Sequence, residues 1–344
     1  FRLSSSRTLS ALVFFYPAKV FYPFMLKIAH LTFPSYVALA PMAGITDLPF
    51  RNLCGGMGAG LTVGEMTHSN PSLKNSRKTK LRSSFDKEGG LRSVQIVGSD
   101  PGYMAAAARY NEERGAELID INMGCPAKKV LKKAAGSALL SNEKLVADIL
   151  QSVVSSVSVP VTLKYRTGPT PNKRNGVRIA KIAEANGISG LAVHGRTREC
   201  KFQGCAEYAT ITKIVGAVGI PVLANGDINS PEKAMEVMSC TGAAGVMLGR
   251  SVLGQPWLCG QIDQYIKTGS TLPSPSREDR AKIIEMHLKS IHSFYGEDYG
   301  VRFARKHVGW YFKHITVSKR FKRYFNTLNN ASEQISVIRN ILEY

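Results

Sequence analysis

Short, largely apolar runs rich in Val, Ile and Leu recur between residues 37 and 250. They are Val37–Ala40, Leu61–Val63, Ser93–Val97, Leu118–Asn122, Val161–Lys164, Gly190–His194, Val222–Asn225 and Gly245–Leu248. Runs of this kind suit strands buried on both faces of a parallel sheet. Between them lie segments with apolar residues at helical spacing, such as PGYMAAAARYNEERG (101–115) and NEKLVADILQSVVSSV (142–157). These end near Gly or a β-branched stop. Eight strand–helix units in this length predict an α/β chain folded as a (β/α)₈ TIM barrel over residues 25–270. An open doubly wound sheet would want a GxGxxG turn after the first strand, and APMAG (40–44) does not supply it. The segment TLPSPS (271–276) breaks the pattern as a linker. Beyond it, residues 277–344 contain only helix-like stretches and read as a small all-helical domain.

Charge narrows the partner. The 344 residues carry 45 Lys and Arg against 25 Asp and Glu, a formal net charge of +20, which points to a polyanion, either nucleic acid or an acidic membrane surface. No apolar run reaches the length of a membrane span. Six cysteines without a CxxC pair or recurring metal-ligand spacing, and no clear secretory signal, suit free thiols in a reducing, cytoplasmic setting without a metal. The first 24 residues, opening on Phe1 with Arg2, Arg7 and Lys19 and no acidic residue, faintly resemble a targeting peptide. An upstream-translated segment ahead of Met25 is the favoured reading.

In a barrel, functional groups gather where strands end. The strand ends carry Pro41, Met42 and Ala43, then Glu65 and Met66, Gln95, Asn122 to Cys125, Lys164 with Arg166, His194 with Arg196, Asn225–Gly226–Asp227 and Gly249–Arg250. The last two sets place glycine-flanked amides, with Arg250 for charge, at the two loops that hold phosphate in many barrels. A lysine closing a buried strand is costly without a partner. Lys164 suits a Schiff base, or a cation beside the N1–O2 edge of a flavin. Gln95 and His194 suit the amide edge of the same ring. Cys125, on a rim loop with Lys128 and Lys129 close by, suits a proton donor or nucleophile.

The motifs APMAGITDLPFR, EMTHSNP, QIVGSDP, DINMGCPAKKV, VPVTLKYRTG, VHGRTRECKFQGCAEY, IPVLANGDI and GVMLGRSVLGQPW resemble the successive signatures of tRNA-dihydrouridine synthases, the bacterial B-type most of all. The likeness runs from about Ala40 through RKHVGWY to NASEQ. It implies FMN-dependent, NADPH- or NADH-driven reduction of D-loop uridines in tRNA, with no obligate protein partner evident. It assigns Pro41, Met42, Ala43, Gln95, Lys164, His194, Asn225, Gly226, Asp227, Gly249 and Arg250 to FMN, and Cys125 to general-acid protonation of uracil C5 after hydride reaches C6. Asn122, Arg166 and Arg196 would meet the uracil. No acidic residue occurs from Tyr299 to Ser332, where Arg302, Arg305, Lys306 and His307 are expected at the RNA. Lys128, Lys129, Lys132 and Lys133 form a second basic group. Two departures from the family pattern, Gly64 and Cys205, remove no proposed catalytic group. An FMN barrel acting on a free pyrimidine and a non-catalytic tRNA-binding protein are the alternatives.

Overall fold

A computed structural model describes residues 25–70, 81, 84–85 and 89–341. The reading of residues 1–24 as a leader falls outside them. Strands β1 (Leu26–Ile28) and β2 (Leu31–Phe33) form an antiparallel hairpin. The other strands share one parallel sheet: β3 (Val37–Leu39), β4 (Leu61–Thr62), β5 (Thr67–His68), β6 (Ser93–Val97), β7 (Leu118–Met123), β8 (Val161–Arg166), β9 (Gly190–His194), β10 (Val222–Asn225) and β11 (Gly245–Leu248).

The sheet is an eight-staved barrel whose second stave is broken. β11 pairs with β3, which pairs with β4. The ring then closes where Val63 bridges Ser93 and the Gly64 N–H donates to the Ser93 carbonyl at 3.1 Å. β5 resumes the second stave against the far end of β6, pairing Thr67 with Ile96. The break leaves Gly64, Glu65 and Met66 between the two halves, so Glu65 and Met66 sit at a strand interruption.

All eight apolar runs become staves, with ends shifted by at most two residues; β8 runs on through Tyr165 to Arg166. Leu26, Ile28 and Phe33 of the hairpin pack on Ala38, Leu61, Leu118, Ala192, Leu223 and Met247. That apolar plug fills one mouth of the ring and leaves the ends of the strands as the open face. Side chains pointing outward, among them Leu39, Ile96, Ile121, Leu163 and Val193, bury against the surrounding helices, as a stave apolar on both faces requires.

Four helices follow the extended linker: Arg277–Tyr295, Glu297–Tyr311, Lys319–Thr327 and Ala331–Arg339. Ser276, Ser318 and Asn330 cap the first, third and fourth by accepting from the N–H three residues on. Ile284, Leu288, Ile291, Ala304, Val308, Phe312, Phe321 and Phe325 form a second core, joined by Trp257 from the barrel's last segment. Phe50 of the barrel lies against His287 and His307, ring centroids 5.6 Å apart in each case.

Candidate active site at the open end of the barrel

A cleft of about 920 Å³ occupies the open face. Pro41, Met42, Ala43, Gln95, Asn122, Cys125, Lys164, Arg166, His194, Arg196, Asn225, Gly226, Asp227, Gly249 and Arg250 all line it. Residues as far apart as Pro41 and Arg250 converge because each lies in or beyond the C-terminal half of a stave, and parallel staves end on the same face.

Side chains from neighbouring staves tie the floor together. Gln95 donates to Asp120 at 2.7 Å, Thr162 donates to the other Asp120 oxygen at 2.7 Å, and Asn122 donates to Gln95 at 2.8 Å. Burial pushes the Asp120 carboxyl up to about 6, opposed by those two hydrogen bonds and by the charge of Lys164. Lys164 itself donates to Asn225 at 3.1 Å. Burial, then the neighbouring Arg166, pushes its amine down to about 8, against the pull of Asp120. An amine so placed is a cation near neutral pH and loses its proton at mildly alkaline pH.

The Cys125 loop is pinned on both sides. Asn122 Oδ1 accepts from the N–H groups of Gly124 (3.1 Å) and Cys125 (3.0 Å). The Cys125 carbonyl accepts from the Ser137 hydroxyl at 2.9 Å and from the Ser137 N–H at 3.1 Å. Gly136, at φ 61, makes this close approach possible, since a Cβ there would stand 2.9 Å from the Cys125 oxygen. The half-buried thiol is thereby held at the cleft wall.

Three groups expected at the uracil are occupied by the protein. Arg196, 4% exposed, uses all five N–H groups. Nε goes to the Gln203 carbonyl, the two Nη atoms grip both Asp227 oxygens at 2.9 and 2.6 Å, and the rest meet Gly204 and His194. It is a clasp for the loop after β9, with no N–H left for a base. Arg166 donates to the carbonyls of Gly124, Thr197 and Lys201, leaving only Nη2 outside these bonds. Asn122 is the loop's anchor, as described above. All three have internal roles, because a buried guanidinium or amide takes the backbone acceptors and donors beside it, and only Arg166 Nη2 stays open to a ligand.

Because Arg196 can only donate, His194 Nε2 at 3.3 Å must accept, which places the ring proton on Nδ1. Burial, followed by the charges of Lys164, Arg166, Arg196 and Arg250, pushes His194 down to about 2, so the ring stays neutral. Asp227 has the left-handed φ of 52, and its carboxylate, held below the usual range chiefly by Arg196, also accepts from the Ala206 N–H at 2.8 Å. Arg250, by contrast, is 59% exposed and lies 3.7 Å from Asp227. The Ser251 hydroxyl beside it is buried without a hydrogen-bond partner.

The basic helix exposes fewer of its polar side chains than the sequence suggests. His307 is 1% exposed, packed against Phe50, His287, Phe303 and Trp310, and burial pushes its ring well below the ordinary range. Lys306 donates to the Gly44 carbonyl of the barrel. Arg305 donates to Leu328 and Asn329, both at 3.0 Å. Of these four residues only Arg302 is exposed. The amphipathic packing of a helix turns part of any dense cationic run inward.

Three residues carry the cleft without having been assigned in the sequence. Asp120 could have been found as a charged residue inside an apolar run. Ser251 follows Arg250 and gave no separate signal. Phe202, 53% exposed, lies in the loop after β9 with the guanidinium carbons of Arg166 and Arg250 5.3 and 5.1 Å from its ring centroid. Among the described residues no group of three or more His, Cys, Asp or Glu could hold a metal ion, and no helix is long and apolar enough to cross a membrane.

A closed parallel barrel with its polar and ionisable groups gathered at one rim is an architecture of α/β enzymes. The dihydrouridine synthase family model matches residues 38–343, and the chain belongs to that family. It is 52% identical over 315 residues to the tRNA-dihydrouridine synthase B of Pseudomonas aeruginosa, covering 92% of this chain and 95% of the relative. It is likewise 52% identical over 304 residues to that of Proteus vulgaris, covering 88% and 94%. Among solved structures, a 2-naphthoyl-CoA reductase complex superposes with a TM-score of 0.55 at 11% identity, covering 69% of this chain and 51% of that one. Morphinone reductase in complex with tetrahydroNAD gives 0.51 at 13%, covering 73% and 92%. Those two share the fold.

Proposed function

We propose that this chain reduces uridines of tRNA to 5,6-dihydrouridine, with FMN in the cleft and NADPH or NADH as reductant. The observation that carries the reading is that Cys125 and Lys164 line the same cleft as the glycine-flanked turns Asn225–Asp227 and Gly249–Arg250. The residues present fit such a cofactor. A volume of about 920 Å³ lies within the ~300–1,000 Å³ range of cofactor sites. Ser251 offers a buried hydroxyl lacking a partner, and exposed Arg250 offers a cation. Pairing with Arg196 neutralises Asp227, whose charge would otherwise repel a phosphate. Pro41, Met42 and Ala43 would border the ring, with Gln95, Lys164 and His194 at its polar edge.

When bound, FMN supplies the hydride that reaches C6 of uracil. Cys125 gives its proton to C5 and regains one from solvent, a step worth about 10²–10⁴-fold in rate. Lys164 as a cation stabilises negative charge at the ring edge. The neutral His194 presents a donor from Nδ1. Arg166 Nη2 is the guanidinium nitrogen left for a uracil carbonyl, on which charge builds as C6 accepts the hydride. Arg196, Asp227 and Asn122 hold these groups in place.

The base must leave its stack, which costs about a few kcal/mol that backbone contacts offset. Exposed Lys128, Lys129, Lys132 and Lys133 stand beside the Cys125 loop. Arg302, Lys313, Lys319, Arg320 and Arg323 are exposed on the helical part. The last three lie on one side of a helix whose Phe321 and Phe325 point into the core. These cations would track phosphates. The test is to purify the protein with FMN and offer it NADPH with unmodified tRNA, native tRNA or free uridine. Dihydrouridine is expected in unmodified tRNA alone; turnover of the free nucleoside without preference for tRNA, or a preparation that cannot take up FMN, would overturn the proposal.

A further inference from the structure

Helix Glu297–Tyr311 reaches the barrel at the loop after β3, whose residues Pro41, Met42 and Ala43 line the cleft. Lys306 donates its ammonium to the Gly44 carbonyl, and the Gly44 N–H donates to the carboxylate of Glu65, itself 2% exposed. The two polar groups of one residue are thus met by opposite charges, each matched to the dipole it faces, and charge-assisted bonds of this kind are the stronger ones. Gly44 sits at φ 76, the left-handed turn in which both groups can face outward to these partners.

The surroundings fix the geometry. The Lys306 ammonium stands 3.3 Å above the Phe303 ring centroid, which aims it. The loop closes on itself through Met42 N–H to the Thr46 hydroxyl at 2.8 Å and Ile45 N–H to the Met42 carbonyl at 2.9 Å. A second helix seals the same loop at its end, where Tyr295 donates to Asp47 at 2.9 Å. Movement of Gly44 would therefore carry Met42 and Ala43 with it.

We propose that Lys306 is a positioning residue for the cofactor: from the helical part of the chain it fixes the loop that presents Pro41, Met42 and Ala43 to the flavin ring. The inference rests on the FMN reading above. It gives the helical part a second task beside gripping RNA, and it separates Lys306 from the RNA-facing cations.

The experiment is a titration of the flavin-free protein with FMN, followed by quenching of flavin fluorescence, alongside tRNA binding measured over a range of salt. Lys306→Met is expected to weaken FMN about tenfold or more, the size of one charge-assisted hydrogen bond. The log–log salt slope for tRNA should stay unchanged. Lys306→Arg, which keeps a cationic donor, should recover most of the FMN affinity. Glu65→Gln removes the charge on the other side of Gly44 without touching the helix, and should weaken FMN a few-fold even if Lys306→Met fails to fold. Unchanged FMN affinity in either Lys306→Met or Glu65→Gln, or a salt slope smaller by about one in Lys306→Met, would overturn the proposal. Failure of the FMN reading itself would look different, because the unsubstituted chain would then not bind FMN.

Discussion

The barrel rim and helix Glu297–Tyr311 both carry cations at high density, yet the structure treats the two sets by different rules. At the rim, position is dictated by topology: Lys164, Arg166, Arg196 and Arg250 each lie at or just beyond the end of a stave and so reach one cleft. On the helix, exposure depends on which stretch and face meet the barrel: Arg302 is open to solvent, Lys306 one turn along the same side reaches the Gly44 carbonyl, and His307 is buried. Location at a rim can therefore be read from strand order. Exposure on a helix needs the face that packs, which is a tertiary property. Even at the rim, location did not fix availability, since Arg196 is fully occupied and Arg250 is open.

The largest effect that sharpens this contrast should come from Cys125→Ala. Dihydrouridine formation is expected to fall about 10³-fold, within the range for a lost general acid. Flavin reduction by NADPH, followed by bleaching, should be unaffected. Equal activity in the variant would remove the thiol from the chemistry.

Lys164→Met should lower the rate of hydride transfer about 10²-fold, the scale of one lost electrostatic stabiliser. The pH profile gives a cleaner reading. With an amine depressed to about 8, the unsubstituted protein is protonated and active below that pH. It should lose rate as pH rises through about 8, and the variant should lack this limb. A limb retained in Lys164→Met would assign it to another group.

Arg196→Ala and Arg250→Ala separate clasp from contact. Removing Arg196 leaves the partners of its five N–H groups unmet and should lower stability by about 1–3 kcal/mol, seen as a lower midpoint in urea. Removing exposed Arg250 should leave that midpoint alone and weaken FMN instead. Similar midpoints for both variants would mean that the Arg196 network contributes nothing special.

The smallest effects lie on the helix. Arg302→Gln should reduce the log–log salt slope of tRNA binding by about one, the signature of a single phosphate contact. His307→Phe should leave the slope unchanged. A reversed pattern would place the buried face of the helix at the RNA.

Much of the fold was legible because a buried parallel stave must be apolar on both faces, and the eight runs from Val37 to Leu248 obeyed that rule. The broken second stave was not legible: nothing in LTVGEMTH distinguishes a strand that runs on from one interrupted at Gly64–Met66. Most residues placed at strand ends line the cleft, whereas Glu65 and Met123 are buried away from it. What escaped was the hydrogen-bond economy among those residues. Arg166 and Arg196 satisfy carbonyls of loops whose path depends on the whole barrel, and Asp120 serves neighbours two staves apart. Phe202 was missed because a loop aromatic has no periodicity to reveal it.

The central claim is that one cleft holds a reduced flavin against a tRNA uridine with Cys125 as proton donor. Its most direct test is a single turnover: FMN-loaded protein is photoreduced without NADPH and mixed anaerobically with unmodified tRNA while flavin absorbance is followed. One dihydrouridine should form for each flavin reoxidised, and the Cys125→Ala protein should fail to complete the reaction. A flavin that stays reduced with tRNA, yet is reoxidised by free uridine, would contradict the account.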